Sequence, residues 1–237
     1  MSDTTIRGKQ WRRATVLATR EETTRAKTFR LGLDQPSHHL PGQHYVVRLT
    51  APDGYTASRS YSVASAPDWS TEFELTVERL DGGEVSTFLH DVVAPGDELE
   101  VRGPIGRWFV WKGDTPALLV GGGSGVVPLM AMLRHARRTQ RQRLVRLVVS
   151  VRTPFDLYYR DELPGPETTI IYTRETPSSS PRPPGRLTRH DLASAMRPDA
   201  TAYVCGSAGF ADTATGLLVE LGLPVDDIRV ERFGVTA

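Results

Sequence analysis

The sequence has a single cysteine, Cys205, in 237 residues. An internal disulfide is therefore excluded, and so is an all-cysteine zinc or iron–sulfur centre, because each needs several thiolates held together. Iron–sulfur chemistry, where it enters, has to come from a partner. Long apolar runs are also missing, and none approaches the roughly 18 residues of a membrane-spanning helix. A soluble protein without a membrane span is expected. Nor does one sign of charge dominate: 29 Lys and Arg against 28 Asp and Glu leave a formal net charge of +1. Nucleic acid is not an expected partner, since phosphate-backbone affinity draws on a concentrated basic face. The start of the chain, Met1 to Arg13, is polar and basic with no apolar stretch behind the charges, unlike a secretory leader, so the cytoplasm is the expected compartment.

What is present is an ordinary globular composition in a chain long enough for one large domain or two small ones. The first half reads as short strands between turns: Trp11–Ala18, Ala26–Leu33, His44–Leu49, Ser60–Ala64, Glu72–Arg79 and Glu98–Arg102, with one brief helix over Glu84–Val92. In the run Phe73 to Arg79 the apolar residues Phe73, Leu75 and Val77 fall at every second position, the period of a strand with one buried face. Many short strands at near-regular spacing predict a closed or sandwiched β domain. After Lys112 the pattern changes to a continuous apolar strand (Ala117–Val120), glycines, a helix (Pro128–Thr139) and a second apolar strand (Val145–Val151), which is a βαβ unit. It continues through Tyr158–Leu163, Thr169–Tyr172, Arg189–Ala195, Ala202–Cys205 and a helix over Ala208–Leu221, predicting a parallel sheet covered by helices. Two domains, 1–112 and 113–237, are expected, with the Pro- and Ser-rich stretch Thr176–Gly185 as a surface loop of the second.

Five short motifs carry chemistry. Arg59-Ser60-Tyr61-Ser62 lies on or beside a strand, where alternation sends Arg59 and Tyr61 to one face and Ser60 and Ser62 to the other. A guanidinium can hold a phosphate with two hydrogen bonds, a tyrosine ring can lie along a flat ring, and hydroxyls can reach ring nitrogens. A strand with a solvated Arg and a half-buried Tyr is the plainer alternative. Gly82-Gly83-Glu84-Val85-Ser86 opens the short helix, so backbone N–H groups and the Ser86 hydroxyl could converge on an anion, or could form a simple turn capped by Ser86. Gly103-Pro104-Ile105-Gly106 closes the β half as a rigid turn. Gly121-Gly122-Gly123-Ser124-Gly125-Val126-Val127-Pro128 sits between a buried strand and a helix that Pro128 opens, the setting in which glycines let a chain approach a pyrophosphate. Val204-Cys205-Gly206-Ser207 ends another strand at the edge where open α/β sheets bind ligands.

In this order and at these separations the motifs closely resemble those of the ferredoxin–NADP reductase superfamily, across almost the whole chain. The resemblance implies an N-terminal antiparallel Greek-key β-barrel that binds FAD, a C-terminal α/β parallel-sheet domain that binds NAD(P), and hydride transfer between the two cofactors. Arg59 would bind the flavin pyrophosphate, Tyr61 would lie along the isoalloxazine with Ser60 beside it, and Ser62 would bond near the reactive flavin nitrogen. Gly83, Glu84, Val85 and Ser86 would complete a phosphate cradle of the kind that marks FAD more often than FMN, and Val77 is counted among the flavin contacts. Gly122, Gly123, Ser124, Gly125, Val126 and Pro128 would hold the pyrophosphate of the nicotinamide dinucleotide, while Cys205, Gly206 and Ser207 would flank the nicotinamide. Near the C-terminus, Glu231-Arg232-Phe233-Gly234 resembles the ending of oxygenase reductases. There Glu231 would polarise the hydride-transfer site and Phe233 would lie by the flavin. Ser62, Cys205 and Glu231 are the residues expected nearest the chemistry.

Ser150, Arg152 and Arg174 stand about where a 2′-phosphate would be bound, so NADPH is favoured, although Asp156 keeps NADH open. No metal site is expected. A monomer handing electrons to a separate ferredoxin or oxygenase component is the expected arrangement. Arg134, Arg137, Arg138 and Arg141 recur at i, i+3, i+4, i+7; a solvated helix face is the simpler reading, a docking face for an acidic ferredoxin the sharper one. Two rival functions share the fold: an NAD(P)H:flavin reductase that releases reduced flavin, and a non-catalytic redox-sensing subunit.

Overall fold

A computed structural model describes residues 10–36 and 38–234, so most of the polar, basic stretch Met1 to Arg13 lies outside the described residues. The chain divides into two compact units, Met1–Val110 and Trp111–Ala237. No helix among the described residues is long and apolar enough to cross a membrane.

The first unit holds β1 (Arg12–Thr23), β2 (Ala26–Gly32), β3 (His44–Thr50), β4 (Thr56–Ser62), β5 (Glu72–Glu78), α1 (Glu84–Asp91) and β6 (Glu98–Ile105). The strands form one antiparallel sheet in the order β4-β3-β6-β1-β2-β5. Period-two alternation drives this arrangement. Phe29 and Leu31 of β2, Tyr45 and Val47 of β3, and Phe73, Leu75 and Val77 of β5 turn into a common core with Leu99 and Val101 of β6. The sheet curls until its two end strands nearly meet: Val63, just past β4, bridges to Leu75, and the Ala64 N–H donates to the Glu74 carbonyl at 2.8 Å. Along β4 itself, from Thr56 to Ser62, the sole sheet partner among the described residues is β3.

Three strands depart from the sequence reading. β4 starts at Thr56 instead of Ser60 and stops at Ser62, and β1 runs to Thr23 instead of Ala18. Both extensions are polar stretches with no alternating apolar signal, held extended by hairpin pairing to β3 and β2. β6 continues through Gly103 to Ile105, so the break expected at Gly103 comes at Gly106, whose φ of +111° favours glycine.

The second unit holds β7 (Ala117–Gly122), a 3-10 turn (Gly123–Gly125), α2 (Val126–Arg138), β8 (Val145–Val151), β9 (Thr168–Tyr172), α3 (Arg189–Ala193), β10 (Thr201–Ser207), α4 (Ala208–Glu220) and β11 (Ile228–Phe233). The parallel sheet has the order β11-β10-β7-β8-β9, so the direction of winding reverses between β7 and β10. The strands read as near-continuous apolar runs because helices cover the sheet: Leu118, Val120, Val148, Val204 and Leu218 share one core.

Two expectations fail here. The segment Tyr158–Leu163 forms turns, not a regular element, with Tyr159 at φ +53°. It is fastened from α2. The Arg134 guanidinium pairs with both Glu162 oxygens at 2.9 and 2.5 Å, and Arg137 reaches Glu167 and the Glu162 carbonyl. Arg141 donates to the Gly113 carbonyl at 2.6 Å. The four arginines therefore do not form one solvated face: Arg134 and Arg137 are drawn onto the chain, while Arg138 and Arg141 are exposed. The Thr176–Gly185 stretch is irregular as expected, and Arg182 pins it by binding both oxygens of buried Asp191 and the Gly185 and Arg186 carbonyls.

Candidate functional site

In the first unit the register places Tyr61 opposite Tyr45, Arg59 opposite Val47 and Ala57 opposite Leu49. Tyr45 and Val47 belong to the core, so Arg59 and Tyr61 lie on the inward face of β4. Tyr61 packs against that core, and burial pushes its phenol above the usual range against a small opposing pull from Arg59. Arg59 is exposed, because β4 has no second neighbour to cover it. Its guanidinium makes one hydrogen bond, to the adjacent Ser58 carbonyl. A charged donor able to make two hydrogen bonds and a half-buried ring therefore share the open side of the barrel. Ser60 is exposed on the other face; Ser62, at the end of the strand, is buried.

The cradle at α1 is smaller than the sequence suggested. Gly82 makes its turn at φ +73°, and Gly83 starts the helix with no side-chain cap, which leaves first-turn N–H groups for an anion. The Ser86 hydroxyl is already engaged, accepting from the Leu80 N–H and donating to the Gly83 carbonyl. Glu84 is exposed and accepts from the Tyr55 hydroxyl. Val85 and Val77 direct their side chains into the core, and the Val77 carbonyl bonds the His90 ring. Both valine side chains are taken up by the core, which leaves their backbone groups as what a ligand could meet.

In the second unit the residues from β7 and β10 converge at the carboxyl edge, at the winding reversal. The convergence is a matter of backbone contact. A Cβ at Gly125 would stand 2.1 Å from the Cys205 carbonyl oxygen, and one at Gly122 would stand 2.6 Å from the Phe210 ring. Gly206 likewise sits beneath Phe210. These glycines let two loops pack together. Gly123 is the open one: exposed, at φ +56°, with free space around it. The helix begins at Val126, so Pro128 falls inside the first turn instead of opening it; the 3-10 turn of the glycines feeds straight into α2. Ser124 is half-buried, and Ser207 caps α4 by accepting from the Phe210 N–H.

Cys205 is fully buried between Gly121 of β7 and Glu231 of β11. Burial, then the nearby Glu231 charge, pushes its thiol well up, so it stays protonated and is a neutral neighbour, not a nucleophile. Burial also lifts the Glu231 carboxyl to about 7. Phe233 pairs with Ser207 and is half-buried.

At the ends of β8 and β9, Ser150 is buried opposite Gly122, while Arg152 and Arg174 are exposed and held together by the Arg174 N–H donating to the Arg152 carbonyl at 2.9 Å. Neither guanidinium has a protein partner among the described residues. Asp156 is turned away: one carboxylate oxygen accepts from both the N–H and the hydroxyl of Thr153. Phe155, 72% exposed, lies under the Arg160 guanidinium. The sequence reading missed Phe155 and Phe210. The available signals were an aromatic behind the first proline after β8 and an aromatic one turn into the helix that follows Gly206.

Residues 13–110 match the oxidoreductase FAD-binding domain and residues 119–215 the oxidoreductase NAD-binding domain. The propane 2-monooxygenase reductase component of Rhodococcus jostii is 30% identical over 81% of this chain and 55% of its own length. The glycine betaine monooxygenase reductase subunit of Chromohalobacter salexigens is 32% identical over 91% of this chain and 62% of its own. The chain therefore spans somewhat over half the length of these relatives. Among solved structures, the FAD/NAD-binding domain of a nitric oxide dioxygenase from Vibrio cholerae has the same fold, with a TM-score of 0.81 at 23% identity, covering 94% of this chain and 99% of that one. With its FAD-binding domain followed by an NAD-binding domain, the chain belongs to the ferredoxin–NADP reductase superfamily.

Proposed function

We propose that this chain takes a hydride from NADPH onto bound FAD and passes the electrons to a ferredoxin or oxygenase component outside these residues. Bound FAD supplies the change from two-electron to one-electron chemistry, and the chain supplies binding, orientation and exclusion of water. Arg59 supports this reading most directly: an exposed guanidinium without an acidic partner among the described residues, beside a half-buried tyrosine ring on the open side of a barrel, fits a pyrophosphate joined to a flat ring. Arg59, Tyr61, Ser62 and the first-turn N–H groups of α1 would hold FAD. Gly123, Ser124 and the N-terminus of α2 would hold the nicotinamide dinucleotide, with Cys205 and Gly206 beside the ring.

The preference for NADPH is supported by the two free guanidiniums of Arg152 and Arg174, together with the engagement of Asp156 at Thr153. The oxygenase partner is supported by the names of the relatives, which are reductase components of monooxygenase systems. The single cysteine supports an acceptor outside this sequence.

One observation favours a second reading. With Ser86 engaged and Val85 buried, the cradle consists of backbone N–H groups and Arg59, and such a site suits a flavin that is released after reduction. Gel filtration separates the two: yellow protein with stoichiometric FAD supports the retained cofactor, and colourless protein the flavin reductase. Anaerobic titration of the FAD-loaded protein with NADPH and NADH in parallel tests the rest. Bleaching at lower NADPH than NADH is expected; flavin that binds without bleaching under either nucleotide sinks the oxidoreductase reading.

A further inference from the structure

We propose that Phe210 is a positioning residue for the nicotinamide end of the dinucleotide: its ring wedges against Gly122 and Gly206 together and fixes the spacing of the two strand ends that the ligand bridges. The inference rests on the reading that Cys205 and Gly206 meet the nicotinamide.

Gly122 closes β7 and Gly206 lies near the end of β10, the strands that adjoin at the winding reversal. A Cβ on Gly122 would stand 2.6, 2.7 and 2.8 Å from three carbons of the Phe210 ring. One on Gly206 would stand 2.7 Å from the same ring and 3.1 Å from the Gly122 carbonyl oxygen. The ring thus fills the volume that a side chain would take at both positions, and a ligand at this edge meets Gly122 and Gly206 as backbone.

Phe210 is held for this task from its own element. Its N–H donates to Ser207 Oγ at 3.4 Å, which ties the first turn of α4 to the end of β10. The side of α4 that fills the core is Ala211, Ala214 and Leu218, all buried. Phe210 stands beside that stripe and is half-buried, packed on the core in part only. A ring serving the core alone would not require two neighbouring strands to give up their side chains. The two loops have a second point of contact, at Gly125 and the Cys205 carbonyl. Shortening Phe210 therefore leaves the loops joined there and removes the support under Gly206.

The consequence falls on one end of the ligand. The diphosphate would be held at Gly123, where a Cβ would meet nothing within 4 Å, the ring included. The nicotinamide would lie at Gly206, on the supported peptide. Hydride transfer needs reacting atoms about 3–3.5 Å apart, and a misplacement of about 1 Å costs on the order of 100-fold in rate. Loss of the ring should thus lower the rate without loosening the grip on the phosphates.

The test uses the FAD-loaded protein, bleached anaerobically by a series of NADPH concentrations in a stopped-flow instrument. Phe210→Ala should lower the limiting rate roughly tenfold or more, while the NADPH concentration giving half that rate stays within about twofold of the parent's. Phe210→Met refills most of the volume and should recover most of the rate. Gly122→Ala pushes the ring aside and should show the same loss; combined with Phe210→Ala it should lose no more than either alone. A readout independent of turnover comes from the amide resonances of Gly123 and Gly206 in flavin-free protein. NADP⁺ should move both in the parent and only Gly123 in Phe210→Ala. Adenosine 2′,5′-bisphosphate, which lacks the nicotinamide, should move only Gly123 in either protein. Should Phe210→Ala fail to fold, Phe210→Leu and Gly122→Ala carry the same comparison. An unchanged limiting rate, a rate loss accompanied by an equal rise in the half-saturating concentration, or a Gly206 resonance that NADP⁺ moves in both proteins or in neither overturns the wedge, while flavin reduction in the parent stands. A parent that NADPH does not bleach overturns the functional reading itself and the wedge with it.

Discussion

In the first unit the ligand edge consists of side chains on a strand with one neighbour; in the second it consists of backbone brought into contact at Gly125 and Gly206. Arg59 is available because the barrel does not close along β4, and little of the fold depends on it. Gly125 is the reverse case, since its lack of a side chain lets two loops meet. The same general task, holding a phosphorylated ligand, is therefore separable from stability in one unit and inseparable from it in the other.

Substitutions can break that contrast. The largest effect is expected from Gly125→Ala, whose Cβ would stand 2.1 Å from the Cys205 carbonyl oxygen. A loss of more than about 3 kcal/mol in urea unfolding is expected, with nucleotide binding lost alongside; retention of either would show that the loops tolerate separation. Next comes Arg182→Ala, at about 3 kcal/mol, because it strands the buried Asp191 carboxylate. Burial pushes the Asp191 carboxyl up, but bonds from Thr188 and Arg182 outweigh it and hold the group below its usual 3.8. The contribution is thus present above that value and lost as pH falls through the depressed folded pKa, which melts at pH 2.5 and 7 would register.

Arg59→Ala should leave stability within about 0.5 kcal/mol while weakening FAD binding roughly tenfold, measured by fluorescence quenching. A large loss of stability instead would erase the difference between the units. The smallest effect belongs to Glu231→Gln. Burial lifts this carboxyl from 4.5 to about 7, so the folded protein holds more protons than the unfolded chain between those values, and stability declines as pH rises through that window. The amide removes that decline, stabilising the variant relative to the parent at pH 8 by on the order of 1 kcal/mol in thermal melts.

The two units also differed in how far their sequences could be read. Apolar runs and alternation mark positions that face a core, so β5, β7, β8 and α4 were legible. Thr19–Thr23 and Thr56–Arg59 were not, since hairpin pairing alone makes those polar stretches extended. At the candidate site, Arg59, Tyr61 and Cys205 stood out through residue type and position. Ser86 did not reveal its engagement, because its alternative partners, Leu80 and Gly83, are backbone groups that carry no side-chain signature. Nor did the arginines of α2, whose spacing is compatible with solvent, a partner or the chain itself; only the path of residues 158–167 decides which.

That decision alters how the molecule should respond to salt. Arg134 and Arg137 are drawn inward onto Glu162 and Glu167, the latter 5% exposed. Added salt screens such half-covered pairs weakly and a patch of free surface cations strongly. Raised ionic strength should therefore leave amide exchange across residues 158–167 nearly unchanged, since Arg134 and Arg137 keep that segment fastened while only exposed cations such as Arg138 are screened.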